Sequence, residues 1–440
     1  MLFLRKRYIL ILWCPLLWWT TPTFAVLKID IIGGVEGAAP IAIIPFQAPA
    51  GAAPKDEVSA IVAADLRRSG YFAPLDQATL GEKPTEAEQI NYTYWRAKGV
   101  DNILIGKVLS PSPNQYTIQF QLIDLVKKQQ LLALSVSSTA ADLRKKSHQI
   151  SDVVFEAITG KKGIFSTRIA YVLYLHKDKQ PYRLAVADVD GENEQIILYS
   201  KTILLSPAWS HDGQWLAYVT FEHEAPEIYM QNIHTAKRER LSAQYAELKQ
   251  ATSISAPAWA PDDKKLAFTM IKNGNSDIYY LDMQRKFISR ISNHYEIDTE
   301  PAWTPDGKSI IFTSGRGGTP QLYKTNLAGD NVERLTFEGK YNARASVAPD
   351  GKSVAFIYTQ GNNSNIAVLN MERKTVQVFP DNGSTLHESP SFAPNGQMIV
   401  YAAGYKGKLS VVTVDGRFGY DVSFREGVVR EPVWSPLLPN

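Results

Sequence analysis

The chain has 440 residues, 45% of them hydrophobic and 21% charged, with 47 Lys and Arg against 44 Asp and Glu. That near-balance argues against a general nucleic-acid or anionic-membrane binder. A single cysteine rules out a disulfide framework, and the length suffices for two domains.

In chain order, Arg5, Lys6 and Arg7 precede a mostly apolar run from Tyr8 to Trp19, and Thr23-Phe-Ala25 puts small residues at −3 and −1. This pattern predicts a secretory signal peptide over residues 1–25, cleaved after Ala25 and too short to anchor comfortably in a bilayer. Cys14 lies inside it, after Leu12-Trp13 rather than the small residues of a lipoprotein signal. Cleavage removes three basic residues and leaves 44 of each sign, so the mature chain is formally neutral.

The next twelve residues are Val26, Leu27, Lys28, Ile29, Asp30, Ile31, Ile32, Gly33, Gly34, Val35, Glu36 and Gly37. They alternate like a strand before dissolving into glycine. A mobile terminal strand of this kind can add to a partner's sheet edge. An ordinary edge strand of the domain that follows fits the pattern equally well.

Residues 38–160 read as an α/β domain. Ile41-Ala-Ile-Ile-Pro-Phe46 is a buried strand, and residues 56–69 form a helix with Val58, Ile61, Val62 and Leu66 on one stripe. Thr85-Glu-Ala-Glu88 is a capping box for a helix running to about Lys98. Strands at 102–108, 116–124 and 130–138 follow, then a helix over about 141–159 that leads through Gly160 and Gly163 into a different architecture.

From residue 164 to 440 one motif recurs about every forty-five residues. Its copies are Pro207-Ala-Trp209-Ser-His-Asp-Gly213, Pro257-Ala-Trp259-Ala-Pro-Asp-Asp263, Pro301-Ala-Trp303-Thr-Pro-Asp-Gly307, Ala345-Ser-Val347-Ala-Pro-Asp-Gly351 and Pro390-Ser-Phe392-Ala-Pro-Asn-Gly396. A sixth, Pro432-Val-Trp434-Ser-Pro436, stands apart from the strand it needs. That period indicates one propeller blade per repeat, with Asp-Gly a strong hairpin signal where it occurs. Ile169-Ala-Tyr-Val172 has no Pro-Ala-Trp element before it, so Pro432–Trp434 supplies the missing strand. The expected fold is therefore an α/β N-terminal domain plus an all-β six-bladed β-propeller closed by the C-terminal strand. The repeated Trp residues are expected to pack between blades.

Catalytic signatures are absent from the sequence. There is no Gly-x-Ser-x-Gly elbow, no His-Glu-x-x-His and no dinucleotide glycine pattern after a strand. The seven histidines lack ligand spacing, so no metal, cofactor or catalytic residue is assigned. The aspartates of Pro-Asp-Gly belong to turns, where they bond the local backbone. Asp282, Asp298 and Glu300 read either as a carboxylate cluster or as solvated loop charges.

Several stretches carry a resemblance over the full length: Pro40–Phe46, Ile61-Val-Ala-Ala-Asp-Leu-Arg67, Thr167-Arg-Ile-Ala-Tyr-Val172, Ser206-Pro-Ala-Trp209, Asp212–Glu222, Val414-Asp-Gly-Arg-Phe418 and the terminal Pro-x-Trp-Ser-Pro436. The chain resembles the TolB family, periplasmic propeller proteins of the Tol–Pal system of Gram-negative bacteria. The resemblance implies a non-enzymatic, monomeric scaffold that reaches membranes only through its partners. Such proteins bind the Pal lipoprotein through one propeller face and TolA through the mature N-terminus, supporting outer-membrane integrity and constriction during division.

Carried over by position, the TolA strand is Val26 to Gly37, with Ile32 where an acidic residue is common in the family. The Pal face takes Ser253 and Ala256 in one loop and Thr299 and Glu300 in another, with Ser253 where similar proteins have histidine. The terminal strand is expected to fold back on its α/β domain or extend towards TolA, hinging at Gly33, Gly34 and Gly37. Propeller-type peptidases and polysaccharide lyases share Pro-Asp-Gly blades. The first need a hydrolase domain for which this chain leaves no room, and the second a His/Gln metal constellation that the scattered histidines do not suggest.

Overall fold

A computed structural model describes residues 29–32, 37–48, 57–380, 386–404, 407–423 and 427–438. The expected signal peptide, Val26 to Lys28 and Gly33 to Glu36 lie outside the described residues.

The recurrent turn behaves as its composition dictates. Asp212 accepts from the Gln214 N–H at 2.9 Å and Asp306 from the Lys308 N–H at 3.0 Å. The residue that follows is left-handed, with φ between +66° and +71° at Gly213, Gly307, Gly351 and Gly396. Asp263 takes that position without glycine's freedom, at φ +55°. Its carboxylate accepts from the His211 and Asp212 N–H groups of the preceding blade at 2.7 and 2.8 Å.

These turns join the strands of six antiparallel four-stranded blades. The innermost strands are Val428–Trp434, Leu204–Trp209, Ser253–Trp259, Asp298–Trp303, Tyr341–Val347 and His387–Phe392, in blades one to six. Blade one is closed by the late strand, whose Trp434 stands opposite Ile169 and Val429 opposite Leu173. The second strands carry a ring of fully buried aromatics, Tyr171, Tyr218, Phe268, Phe312 and Phe356, that fill the space between blades. The tryptophans pack between blades as expected and are hydrogen-bonded there. The Trp259 indole donates to the Ala208 carbonyl at 3.2 Å and that of Trp303 to Ala258 at 3.0 Å.

The N-terminal elements are β1 (Ile29–Ile32), β2 (Ala39–Ile43), α1 (Val58–Arg68), β3 (Phe72–Pro74), α2 (Tyr92–Ala97), β4 (Asn102–Ser112), β5 (Gln115–Asp124), β6 (Gln129–Thr139) and α3 (Leu143–Thr159). The sheet runs β3-β2-β4-β5-β6, with β2 parallel to both neighbours. Leu66 of α1 and Val154 of α3 bury against Ile41, Leu104 and Leu122 on one face. Trp95 of α2 covers Ala42, Ile103 and Ile105 on the other.

Two expectations are corrected here. The helix predicted from Thr85 to Lys98 is broken. A single 3₁₀ turn, Ala87–Gln89, is boxed by Glu86 and Gln89, and α2 starts afresh with Asn91 as its cap. The Asn91 side chain accepts from the Tyr94 N–H at 3.1 Å, so a second capping residue restarts the helix.

The terminal strand does not join the α/β sheet. β1 pairs antiparallel with Gly419–Ser423, the outermost strand of blade six, with Ile29 opposite Val422 and Ile32 opposite Gly419. Blade six thereby becomes five-stranded, and a sheet edge that would be open is covered.

Candidate functional site: the tunnel belt and the strand seat

Every innermost strand slips register at one point, immediately before its Pro-x-aromatic step or the equivalent Ala345-Ser-Val347. The six residues at the slip are Ser206, Ala256, Glu300, Arg344, Ser389 and Glu431, all with φ between +48° and +56°. A bulge redirects a side chain, and here the six bulges form one belt lining a cavity of about 530 Å³ along the tunnel.

The belt is tied across the ring by Arg344. Its Nε donates to Glu300 Oε1 at 3.1 Å, and its Nη1 reaches Glu431 Oε1 at 2.8 Å and Ser389 Oγ at 2.6 Å. The other Glu300 oxygen accepts from the Arg344 N–H at 3.1 Å and the Thr313 hydroxyl at 3.0 Å. Glu431 Oε2 accepts from the Ser206 N–H at 2.8 Å. One guanidinium thus links blades four, six and one to its own blade five, and Glu431 extends the link to blade two. Burial works against the Arg344 charge, yet Glu431 and Glu300 outweigh it and hold its pKa above the ordinary value.

The residues carried over from the family fall on strands rather than in loops. Ser253 opens the innermost strand of blade three, and Ala256 lies on the belt three residues further along. Thr299 and Glu300 occupy the matching stretch of blade four, with the Thr299 hydroxyl 3.2 Å from that of Thr269. Ala256 and Glu300 are brought together on the lining of the tunnel, with Thr299 next to Glu300 in the chain; Ser253 is not among the lining residues. Arg344, Ser389 and Glu431 escaped the sequence reading, although each precedes the repeated Pro-x-aromatic or equivalent step and was legible by alignment of the repeats.

The carboxylates considered as a cluster go to separate partners and are not solvated loop charges. Asp298 is fully buried and bound to Arg316 at 2.8 Å, and Asp282 is buried, accepting from the Gln284 and Arg285 N–H groups. A different group assembles where α1 and α3 meet the propeller. Ligand atoms of Asp65, His148 and Asp190 come within 4.8 Å of one another, all buried. Arg68 binds both aspartates and Arg144 binds Asp190, so two guanidinium groups already fill a cation's place. This is an ion cluster rather than a metal centre.

Comparison with known proteins decides the family. Residues 27–131 match the TolB amino-terminal domain and residues 155–438 the TolB beta propeller domain. The chain belongs to the TolB family. A Tol-Pal system protein TolB from Nitrosococcus oceani is 50% identical over 418 residues, covering 94% of each chain. One from Thioalkalivibrio sulfidiphilus is 48% identical over 438 residues, covering 98% of each. The crystal structure of TolB from Acinetobacter baumannii matches with a TM-score of 0.83 at 37% identity, covering 93% of this chain and all of that one. A place in the Tol–Pal system follows for this TolB-family chain. Among the described residues no helix is long and apolar enough to cross a membrane.

Proposed function

We propose that this chain is a periplasmic, non-catalytic scaffold with two docking elements. The rim around Ser253, Ala256, Thr299 and Glu300 receives Pal, and the segment Val26 to Gly37 receives TolA. Together they support outer-membrane integrity and constriction at division. The observation that carries the reading is the seating of β1. It is held along one edge by the backbone of blade six, which is the kind of pairing that another sheet edge can replace. The belt agrees with this role, because Glu300, Arg344 and Glu431 are bonded to one another instead of being poised for proton transfer.

Calorimetric titration of the mature chain against the soluble domains of Pal and TolA tests the assignment. Deleting residues 26–37 abolishes TolA binding and leaves Pal binding in place. Replacing Thr299 and Glu300 by alanine weakens Pal by about 2 kcal/mol, roughly thirtyfold, as expected of central interface residues. Unchanged Pal affinity in that double variant rejects the face, and TolA binding by the truncated chain rejects the strand.

A further inference from the structure

The two domains meet over a buried cluster whose members lie far apart in sequence. From α1 come Asp65 and Arg68, and from α3 come Arg144, His148, Ser151 and the adjacent Asp152. The propeller contributes Asp188 at the end of the third strand of blade one, Asp190 just after it, and Tyr420 from the outer strand of blade six. Arg168 stands 3.8 Å from Asp188 and completes the charged groups around the site.

His148 sits between the two domains. Its Nδ1 is 2.7 Å from Asp65 Oδ2, an oxygen that also accepts from the Ser151 hydroxyl at 2.6 Å. Its Nε2 lies 3.6 Å from Asp190 Oδ2, an ion-pair distance beyond hydrogen-bond length, and has no hydrogen-bond partner among the described residues. A neutral imidazole has one N–H. If Nδ1 carries it, Nε2 turns a lone pair towards the Asp190 carboxylate; if Nε2 carries it, the lone pair faces Asp65. Only imidazolium turns an N–H and a positive charge towards both aspartates, so the protonated ring joins the domains and the neutral ring sets a lone pair against one of the two carboxylates.

The same cluster bears on the seat of β1. Tyr420 is buried beside Arg68, and a Cβ at Gly70, just past α1, would stand 2.8 Å from the Phe418 ring. Tyr420, on the strand whose free edge carries β1, thus meets Arg68 of α1, and Phe418 just before that strand meets Gly70 just after α1.

We propose that His148 is a proton-dependent clasp between the α/β domain and the propeller, and that its closure steadies the blade-six strand on which β1 is seated. The electrostatic setting agrees. Burial disfavours the imidazolium, but Asp65 and Asp190 outweigh burial and hold the His148 pKa above its ordinary value. Asp190 is held below the ordinary carboxylate range in spite of burial, by Arg68, His148 and Arg144. A raised histidine pKa gives stability that is whole below the unfolded value and is lost as pH rises through the folded one. The clasp therefore closes on the acid side of the folded His148 value and loosens as pH rises through it. The inference does not depend on what β1 binds, because it is read in the free chain.

Hydrogen exchange of segments 29–32 and 419–423 in the full mature chain, corrected for intrinsic rates, tests it between pH 6 and 8.5. Protection is expected to fall severalfold as the His148 imidazolium is lost with rising pH. His148→Gln should remove the step, and Asp190→Asn should shrink it and move its midpoint to lower pH. A wild-type chain with constant protection overturns the proposal, as does an undiminished step in His148→Gln. If that variant does not fold, an undiminished step in Asp190→Asn overturns it instead.

Discussion

Removing the Arg344 guanidinium tests the belt directly. Arg344→Met keeps most of the side chain's length and deletes the donors to Glu300, Glu431 and Ser389. It leaves the Glu300 and Glu431 carboxylates without their shared guanidinium, and the Glu431 side chain is only 8% exposed. Breaking a buried pair from one side costs about 3–5 kcal/mol. The Arg344 side chain is 30% exposed, so solvent screens part of that and about 2–3 kcal/mol is expected. In calorimetry this corresponds to a fall of roughly 3–5 °C in the propeller transition. Adding Glu431→Gln to Arg344→Met should return about 1 kcal/mol or more, because the unpaired charge is gone. A single variant within about 0.5 kcal/mol of wild type, or a double variant whose losses simply add, refutes the brace.

Three further outcomes follow from the geometry. The Asp152 carboxyl caps the interdomain linker, accepting from the Phe165 and Ser166 N–H groups, yet burial pushes its pKa up to about 6. An unfolded chain releases that proton near the ordinary value, so the group's contribution to stability is whole in acid and falls as pH rises towards 6. Asp152→Asn should flatten this slope in denaturation midpoints taken from pH 4 to 7. Gly163→Ala would place a Cβ 2.4 Å from the Asp152 Cα, and a loss of roughly 2 kcal/mol or more in urea titration is expected. Asp263→Gly gives up two inter-blade hydrogen bonds and regains about 1 kcal/mol of backbone ease at φ +55°, for a net loss of about 1 kcal/mol in the same assay.

The propeller was legible because its signals are local. An Asp-Gly turn and the Trp before it sit within a few residues of each other, and six repetitions fix the blade count and the closure. The break before α2 was harder to see, because Thr85 and Glu88 have the spacing of a capping box while Asn91 supplies a second start three residues later. Where β1 lands could not be read at all. Its described pairing is by backbone, and backbone groups at any free edge look alike from the sequence. The setting of His148 is hidden for a related reason: its partners at 65 and 190 become neighbours only after both domains have formed. The belt lay between these cases, since its positions repeat while their chemistry changes from Ser to Ala, Glu and Arg.

Closure of blade one by Val428–Trp434 sets an order of events for a chain that emerges from its N-terminus. Arg168–Tyr174 must wait, one edge uncovered, until some 250 later residues have appeared. During that interval the array is a spring without its catch, vulnerable to pairing with other nascent chains. Once the last strand arrives, no blade can leave without parting from two neighbours, so resistance to unravelling is gained in one final step.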